Sequence, residues 1–309
     1  MLVELYAQSD IGRVRQGNED NFLVLDLTTE RGWTVTSGGS VPPDGLARFE
    51  LGERGLVLAV SDGMGGALAG DVASRMAVDT VREMLVEDDT KQAAAQAQPE
   101  PPLVEAVRNA TSYANLAIHR KSLDDARCSG MGATLTAAAV SGSQVELVQV
   151  GDSRAYVIRG DEIKLVTKDQ SLVQQLVDVG QITEEEAETH MFRNVILQAL
   201  GAQNDLTPVT GRISLRRGDV LLMCSDGLSG KLRAEDMLQI VTEAGDDLVR
   251  ACTGLIDEAN ERGGEDNITV LLARFDGDGL QLPESAAITI EGSSLDDTTL
   301  GDMDATVSP

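Results

Sequence analysis

Histidine and cysteine are scarce in this sequence. Its 309 residues contain two histidines, His119 and His190, and three cysteines, Cys128, Cys224 and Cys252. Two histidines cannot assemble a His-rich zinc or iron site, and the cysteines lack the paired spacing of a zinc knot. An odd number of widely separated cysteines gives no disulfide framework and is typical of reduced thiols in a cytosol.

Basic residues are also few. Lysine and arginine number 25 against 51 acidic residues, and the formal net charge is −26. Nucleic acids and anionic membranes attract proteins through clusters of Lys and Arg, so we expect this chain to bind neither. The sequence has no run of 18 apolar residues, and its first ten residues lack the cationic start and apolar stretch of a signal peptide. We therefore expect a cytoplasmic protein.

Aromatic residues make up only 3% of a chain that is 42% hydrophobic. The core must therefore be built from aliphatic side chains. Runs typical of strands cover residues 21–27, 55–60, 134–140, 145–150, 155–158, 215–224 and 268–275. Helical periodicity covers residues 72–84, 103–120, 171–179, 184 onward and 246–261. Meandering strands with helices grouped in pairs predict an α+β fold, in which antiparallel sheets are covered by helices.

Two segments fall outside this regular pattern. Residues 28–54, rich in Gly, Pro and Thr, are expected to form an elaborated hairpin. Residues 276–309 contain eight acidic residues and no Lys, Arg or aromatic residue, a composition that predicts disorder. We therefore expect one folded domain over residues 1–275, followed by an acidic disordered tail.

Five aspartates adjoin the predicted strands. Asp62, Asp152 and Asp226 follow apolar runs, whereas Asp20 and Asp266 precede them. Strand ends at one edge of stacked sheets would bring these carboxylates together, where they repel each other unless a cation neutralises them. Hard oxygen ligands favour Mg²⁺ or Mn²⁺ over zinc or copper. Any one of these residues alone is more often a turn cap, but five together favour a cluster of divalent metals.

Two arginines, Arg13 and Arg15, lie shortly before Asp20. A guanidinium group presents a planar fork that fits phosphate oxygens, although the octapeptide alone is equally compatible with a surface ion pair. Two other phosphate chemistries are excluded by spacing. The only Gly-Lys pair is followed by Leu232 and so is not a P-loop, and no cysteine has an arginine six residues further on.

Six motifs in a fixed order resemble the metal-dependent protein phosphatases of the type 2C class, in their bacterial form. The motifs are Arg15-x-x-Asn18-Glu19-Asp20, Ser61-Asp62-Gly63-Met64-Gly65-Gly66, Gly132-Ala133-Thr134, Gly151-Asp152-Ser153-Arg154, Ser225-Asp226-Gly227-Leu228 and Glu265-Asp266-Asn267-Ile268-Thr269. The resemblance covers about residues 5–275. It implies a four-layer α/β/β/α sandwich of two antiparallel sheets flanked by helix pairs, with a small helical flap at about 168–198. It also implies hydrolysis of phosphoserine and phosphothreonine in proteins by a water that bridges Mn²⁺ or Mg²⁺ ions.

The resemblance also implies roles for the motif residues. Asp62 would bridge two tightly placed ions, with Asp226 and Asp266 completing the first site and the carbonyl of Gly63 serving the second. Asp20 would hold the second ion directly or through water. Glu19 would help to hold that ion in the same way, and Asn18 would support these side chains from behind.

Further residues would act on the substrate or on a third ion. Asp152 resembles the ligand of a third, weaker ion, and Arg15 would grip the substrate phosphate. Asn267 would orient a nearby water or phosphate oxygen. His190 and Arg193 match a loop of the family's flap, where they would contact the substrate.

Two positions depart from the family pattern. Eukaryotic relatives carry a histidine at the position of Met64, whereas many bacterial members have a methionine there, as this sequence does. Gln170 replaces the histidine of a Thr-x-Asp-His-Ser sequence that runs here from Thr167 to Ser171. We expect these changes to affect substrate preference more than activity.

The expected partners are proteins that serine/threonine kinases have phosphorylated, and the kinases themselves. We expect the protein to be a monomer. One alternative is a phosphoprotein-binding pseudoenzyme, which the intact Asp62, Asp226 and Asp266 disfavour. Another is a regulatory phosphatase that acts on anti-sigma antagonists. It shares the chemistry and differs only in its partner.

Overall fold

The structure is a computed structural model that describes residues 1–35, 46–65, 69–92, 101–283 and 287–291. Its strands are β1 (Leu2–Asp10), β2 (Asp20–Asp26), β3 (Arg31–Thr34), β4 (Ala47–Glu50), β5 (Leu56–Met64), β6 (Gly132–Ala133), β7 (Leu135–Ser141), β8 (Gln144–Val150), β9 (Arg154–Arg159), β10 (Glu162–Leu165), β11 (Val209–Ser214), β12 (Val220–Cys224), β13 (Ile268–Asp276) and β14 (Ile290–Glu291). Its α-helices are α1 (Ala69–Gln92), α2 (Leu103–Asp124), α3 (Leu172–Asp178), α4 (Glu184–Thr189), α5 (Asp226–Ser229), α6 (Ala234–Ala244) and α7 (Leu248–Glu261).

The strands form two antiparallel sheets. The smaller sheet has the strand order β10-β9-β12-β13-β1-β4. The larger sheet has the order β14-β11-β8-β7-β5-β2-β3, and β6 pairs with β5 outside this path. The pattern of meandering strands thus predicted the antiparallel pairing, although β1, β10, β11 and α6 were not anticipated.

Both faces of the central strands are buried, as β5 illustrates. Leu56, Leu58 and Val60 point into the core between the two sheets. Val57 and Ala59 point to the opposite face, where they pack under α1 and α2. Successive side chains alternate between the faces of a strand, so a strand covered on both sides must be apolar at every position. This explains the uninterrupted apolar run in the sequence.

Helices cover the outer face of each sheet. Small residues such as Ala73, Ala77 and Ala110 on α1 and α2 pack against the larger sheet. Cys252 and Leu255 on α7 pack against the smaller sheet. The result is the four-layer α/β/β/α sandwich that the motif resemblance implies, which confirms the expected fold class. In the described ranges, no helix is both long enough and apolar enough to cross a bilayer.

Residues 28–54 do not form the expected elaborated hairpin. Strand β3 pairs with β2 in the larger sheet, whereas β4 pairs with β1 in the smaller one. The segment therefore passes from one sheet to the other, and Ala47 of β4 joins the core between them. A local pattern of Gly and Pro indicates a turn, but it does not show with which strand each half of the segment pairs. Residues 36–45 lie outside the described part.

The expectation of disorder from residue 276 onward is wrong for its first part. Leu280 and Ile288 are both 3% exposed and belong to the core between the sheets. Strand β14 then pairs with β11 at the edge of the larger sheet. The sequence did not indicate that these two apolar side chains are buried, because acidic residues surround them and suggest disorder. The remaining residues, 292–309, lie outside the described part.

Polar contacts from the smaller sheet fasten this segment. Arg159 and Asp219 form a buried ion pair, with N···O distances of 2.9 and 2.8 Å. The same guanidinium donates to the carbonyl of Ala287 at 3.0 Å, and the ammonium of Lys164 donates to that of Ile288 at 2.7 Å. The segment therefore joins the edges of both sheets.

The expected flap at 168–198 contains α3 and α4. Thr183 caps α4, and its hydroxyl and the Glu186 carboxylate form the reciprocal bonds of a capping box. At the base, the amide of Leu197 donates to the carbonyl of Gln170 at 2.8 Å. The two ends of the flap are thus hydrogen-bonded to each other.

Candidate active site

The strand registers place aspartates at one edge of the sandwich. Asp20 begins β2 and Asp62 lies near the end of β5, and the two are cross-strand partners. Asp226 follows the end of β12, and Asp266 lies just before β13. Strands β12 and β13 are antiparallel neighbours. Asp152 follows the end of β8. The structure thus brings the five carboxylates together from five strand ends.

Asp20 and Asp152 are buried, Asp62, Asp226 and Asp266 are partly buried, and the charges of these carboxylates perturb one another. Burial, followed by the charges of Asp20 and Asp226, raises the pKa of Asp62 well above its usual range. Burial, followed by the charge of Asp226, raises the pKa of Asp152 to about 8. Burial likewise raises the pKa of Asp20 to about 7. Asp62 and Asp226 also share a side-chain hydrogen bond. Without cations, the cluster therefore holds protons that isolated carboxyls would release.

Hydroxyl groups orient Asp20. Ser225 Oγ and Thr269 Oγ1 each donate to Oδ2 of Asp20 at 2.7 Å. Ser9 Oγ in turn lies 2.7 Å from Thr269 Oγ1. Ser225 and Thr269 stand inside the recognised motifs, but the sequence gives no sign that they converge on one carboxylate. Their role as positioning residues is therefore visible only in the folded structure.

Thr134 connects Asp62 to the Asp152 turn. Its hydroxyl accepts from the amide of Asp62 at 2.9 Å, and its own amide donates to the carbonyl of Asp62 at 2.8 Å. The same hydroxyl lies 2.7 Å from Ser153 Oγ, next to Asp152. This accounts for the Gly-Ala-Thr motif, for which the sequence alone suggested no role.

Gly63, Gly70 and Glu19 pack without spare room. The amide of Gly63 donates to the carbonyl of Glu19 at 3.2 Å. A Cβ on Gly63 would lie 2.2 Å from the carbonyl oxygen of Gly70, and one on Gly70 would lie 2.1 Å from Oε2 of Glu19. Both positions therefore require glycine. The first turn of α1 thus sets where the Glu19 carboxylate lies, and Gly70 is a second residue that the motifs did not reveal.

Arg15 reaches into the cluster from an exposed loop. Its Nη2 lies 2.6 Å from Oδ2 of Asp266, and about half of the Arg15 side chain is exposed, at 48%. A guanidinium in this position is accessible to an incoming anion while it partly neutralises the carboxylates.

Asn267 does not have the free amide expected of a residue that orients water or phosphate. Its Oδ1 accepts from the amide of Glu19 at 2.8 Å, and its Nδ2 donates to the carbonyls of Ile11 and Gly17 at 2.9 and 3.0 Å. Both N–H groups are thus used within the protein. Asn267 therefore holds the loop that carries Arg15.

Asn18 plays a similar part in the same loop. Its Nδ2 donates to Ser9 Oγ at 2.7 Å, and its Oδ1 accepts from the amide of Asp20 at 3.1 Å. These contacts place it beside the cluster and not in it.

The described contacts of the two flap residues do not include the five aspartates. Nδ1 of His190 accepts from the amide of Phe192 at 3.2 Å, and the two rings are in contact. Arg193 faces Glu265, whose pKa is lowered first by a hydrogen bond from Lys231 and to a smaller extent by the Arg193 charge. Arg193 is thus close to the loop that carries Asp266, whereas His190 shapes the flap.

The carboxylate cluster fits divalent cations by its chemistry. Across the described ranges, no three acidic, His or Cys side chains already stand around one point as ligands of a single ion. The Asp62–Asp226 hydrogen bond and the Arg15–Asp266 ion pair each occupy carboxylate oxygens of the cluster. Oδ1 of Asp152 and Oδ1 of Asp226 are nevertheless buried without a hydrogen-bond partner. Unpaired buried oxygens in an all-oxygen donor set suit Mg²⁺ or Mn²⁺.

Comparison with known proteins gives the family. A family model described as protein phosphatase 2C matches residues 31–268 of this chain. The chain belongs to the protein phosphatase 2C family. Within that family, the serine/threonine phosphatase stp of Listeria innocua is 35% identical over 265 residues, which cover 86% of this chain and 93% of that protein.

Solved phosphatase 2C structures agree with the fold. Serine/threonine phosphatase Stp1 from Staphylococcus aureus superposes with a TM-score of 0.72 at 30% identity, covering 88% of this chain and 95% of that one. The catalytic domain of the phosphatase PstP in complex with two manganese ions superposes with a TM-score of 0.68 at 32% identity, covering 90% of this chain and all of that one.

The raised pKa values predict how the stability of the metal-free protein changes with pH. Unfolded aspartates ionise near their ordinary pKa of 3.8, whereas folded Asp20 and Asp152 keep their protons up to about 7 and about 8. Between these limits the folded state binds more protons, so the free energy of unfolding should fall as pH rises from about 4 to 8. Urea unfolding at a series of pH values measures this slope. Saturating Mn²⁺ should remove it, and a metal-free protein that gains stability over this range would contradict the analysis.

The contact between Gly70 and Glu19 yields a second prediction. Gly70→Ala should displace the Glu19 carboxylate and weaken Mn²⁺ binding by about 10-fold or more, the range typical of groups that support metal ligands. Calorimetric titration with Mn²⁺ provides the measurement. Gly279→Ala is the control, because a Cβ there meets nothing within 4 Å. Equal Mn²⁺ affinity in the two variants would show that the contact is not needed.

Proposed function

We propose that this protein hydrolyses phosphoserine and phosphothreonine in other proteins with the help of divalent metal ions. The observation that carries the proposal is the cluster of five buried or partly buried aspartates, which has two unpartnered carboxylate oxygens and an accessible arginine beside it. The stp, Stp1 and PstP relatives, all named serine/threonine phosphatases, support the substrate class.

The proposed metal sites follow from the positions of the side chains. Asp62 is the cross-strand partner of Asp20 and shares a hydrogen bond with Asp226, so it is the carboxylate best placed to contact two ions. Asp226 and Asp266 would complete one site, and Asp20 with the Gly63 carbonyl would serve the other. When bound, a pair of divalent ions lowers the pKa of a water and neutralises charge on the phosphoryl oxygens.

Arg15 is proposed to hold the substrate phosphate. The bond to Asp266 already orients the Arg15 guanidinium group toward the cluster. If Asp266 turns to an ion, the guanidinium is released for the phosphate oxygens, which it can bind in bidentate fashion. Glu19, Asn18 and Asn267 would keep this loop in place.

The finer parts of the proposal concern ions, substrates and setting. The two ions would be Mn²⁺ or Mg²⁺, and Asp152 would hold a third, weaker ion. Substrates would be the products of serine/threonine kinases and the kinases themselves. The protein would act as a cytoplasmic monomer.

The central test removes the shared carboxylate. Asp62→Asn should lower turnover of a phosphothreonine peptide by about 1000-fold or more, because a metal pair contributes several kcal/mol to the reaction and each 1.4 kcal/mol is tenfold in rate. Phosphate release is measured with and without Mn²⁺ or Mg²⁺, and chelation should abolish it in the unaltered protein. Asp161→Asn, in the β9–β10 turn, is the matched control and should keep full activity.

Two outcomes would contradict the proposal. One is a wild-type rate for Asp62→Asn at saturating Mn²⁺. The other is an unaltered protein that binds phosphopeptides but releases no phosphate, which would support the pseudoenzyme alternative.

A further prediction concerns the proton that the leaving group needs. Met64 has no proton to donate, and the described contacts of His190, to the amide and the ring of Phe192, lie within the flap and include none of the cluster aspartates. We therefore favour a water at the Asp152 site as the donor. General acid catalysis is typically worth about 10²–10⁴-fold for a poor leaving group such as an alkoxide. An aryl phosphate hardly needs an acid, so Asp152→Asn should slow a phosphothreonine peptide more than the aryl substrate.

His190→Ala is the comparison in the same assay. It should lower both rates by similar, modest factors, because its contacts shape the flap. A large loss confined to the peptide in His190→Ala would instead identify His190 as the acid.

A further inference from the structure

Gln170, the residue that departs from the family's histidine, braces the turn that carries Asp152. Its side-chain Oε1 accepts from the amide of Gly151 at 2.7 Å. Its backbone amide donates to the carbonyl of Gly151 at 3.0 Å. The two bonds engage the peptide groups on both sides of Gly151, so one residue fixes both backbone dihedrals at that position.

The Gly151 turn has little freedom of its own. Gly151 adopts a φ of +98°, and a Cβ there would lie 2.6 Å from Cγ2 of Thr134. The conformation is therefore restricted to glycine and is packed tightly on one side. Because Asp152 follows directly, the direction of its carboxylate depends on the two peptides that Gln170 holds.

Gln170 also belongs to the base of the flap. Its carbonyl accepts from the amide of Leu197, and the next residue, Ser171, forms a bridge with Ile196. One residue therefore connects the flap base to the turn that enters the carboxylate cluster.

The nitrogen of the Gln170 side-chain amide lacks the hydrogen bond that the oxygen has. This atom, Nε2, is buried without a hydrogen-bond partner, an arrangement that destabilises a folded protein. The orientation is imposed by the N–H of Gly151, which needs an acceptor. The bond from Gly151 to the side-chain oxygen is therefore the hydrogen bond that this side chain makes in the structure.

We propose that Gln170 is a positioning residue that directs the Asp152 carboxylate into the cluster and links it to the flap. This inference rests on the proposed function. Gln170 would act through Asp152, without itself contacting substrate or ion.

The test compares two replacements of Gln170. Gln170→Met keeps a similar volume without an acceptor, whereas Gln170→His offers a ring nitrogen to Gly151. Calorimetric titration with Mn²⁺ should show the weakest site lowered about 10–100-fold in affinity for Gln170→Met, with the tight sites unchanged. In peptide assays, kcat should fall while KM stays constant. Gln170→His should restore both, and Gln175→Met, on the exposed face of α3, should match the unaltered protein.

A double-mutant cycle separates this role from a general loss of structure. If Gln170 acts through Asp152, adding Gln170→Met to Asp152→Asn should change neither Mn²⁺ binding nor kcat further. Additive losses, or equal weakening of all Mn²⁺ sites, would overturn the inference. An unaltered protein that shows no metal-dependent hydrolysis would refute the proposed function instead. Active protein with an unaffected Gln170→Met variant would refute only the role of Gln170.

Discussion

Mutual repulsion among buried carboxylates is the constraint on which this structure depends. Five aspartates at one edge of a sandwich would push apart unless the scaffold held them and something neutralised them. The scaffold consists of strands buried on both faces, so the strand ends that carry the aspartates cannot easily move. A rigid core is therefore what makes a dense negative cluster possible.

Neutral groups contribute as much to the cluster as charged ones. Hydroxyls of Ser225 and Thr269 hold Asp20, and Thr134 holds the backbone of Asp62. Such groups orient a carboxylate without cancelling its charge, which leaves the negative potential available for cations. Within the described part of the chain, only Arg15 forms an ion pair with a cluster aspartate, and it does so from a partly exposed loop.

The sequence predicted the parts of the site that depend on strand ends. Aspartates next to apolar runs pointed to Asp62, Asp152 and Asp226, and the motif order pointed to the family. It could not predict contacts between residues far apart in the chain, such as Asn267 with the Glu19 loop or Gly70 with the Glu19 side chain. Local composition also misplaced the end of the fold, because the burial of Leu280 and Ile288 depends on the gap between the sheets and not on their neighbours in sequence.

The pairing of β14 fixes where the rest of the chain leaves the catalytic body. Ile290 pairs with Ile213, which pairs with Val145 at the start of β8. Asp152 follows the other end of that strand, beyond Val150. Val150 lies five residues along the strand from Val145, or roughly 17 Å at about 3.4 Å per residue. Whatever follows residue 291 is thus anchored well away from the metal-binding edge, so the entrance for a bulky phosphoprotein stays clear of its point of attachment.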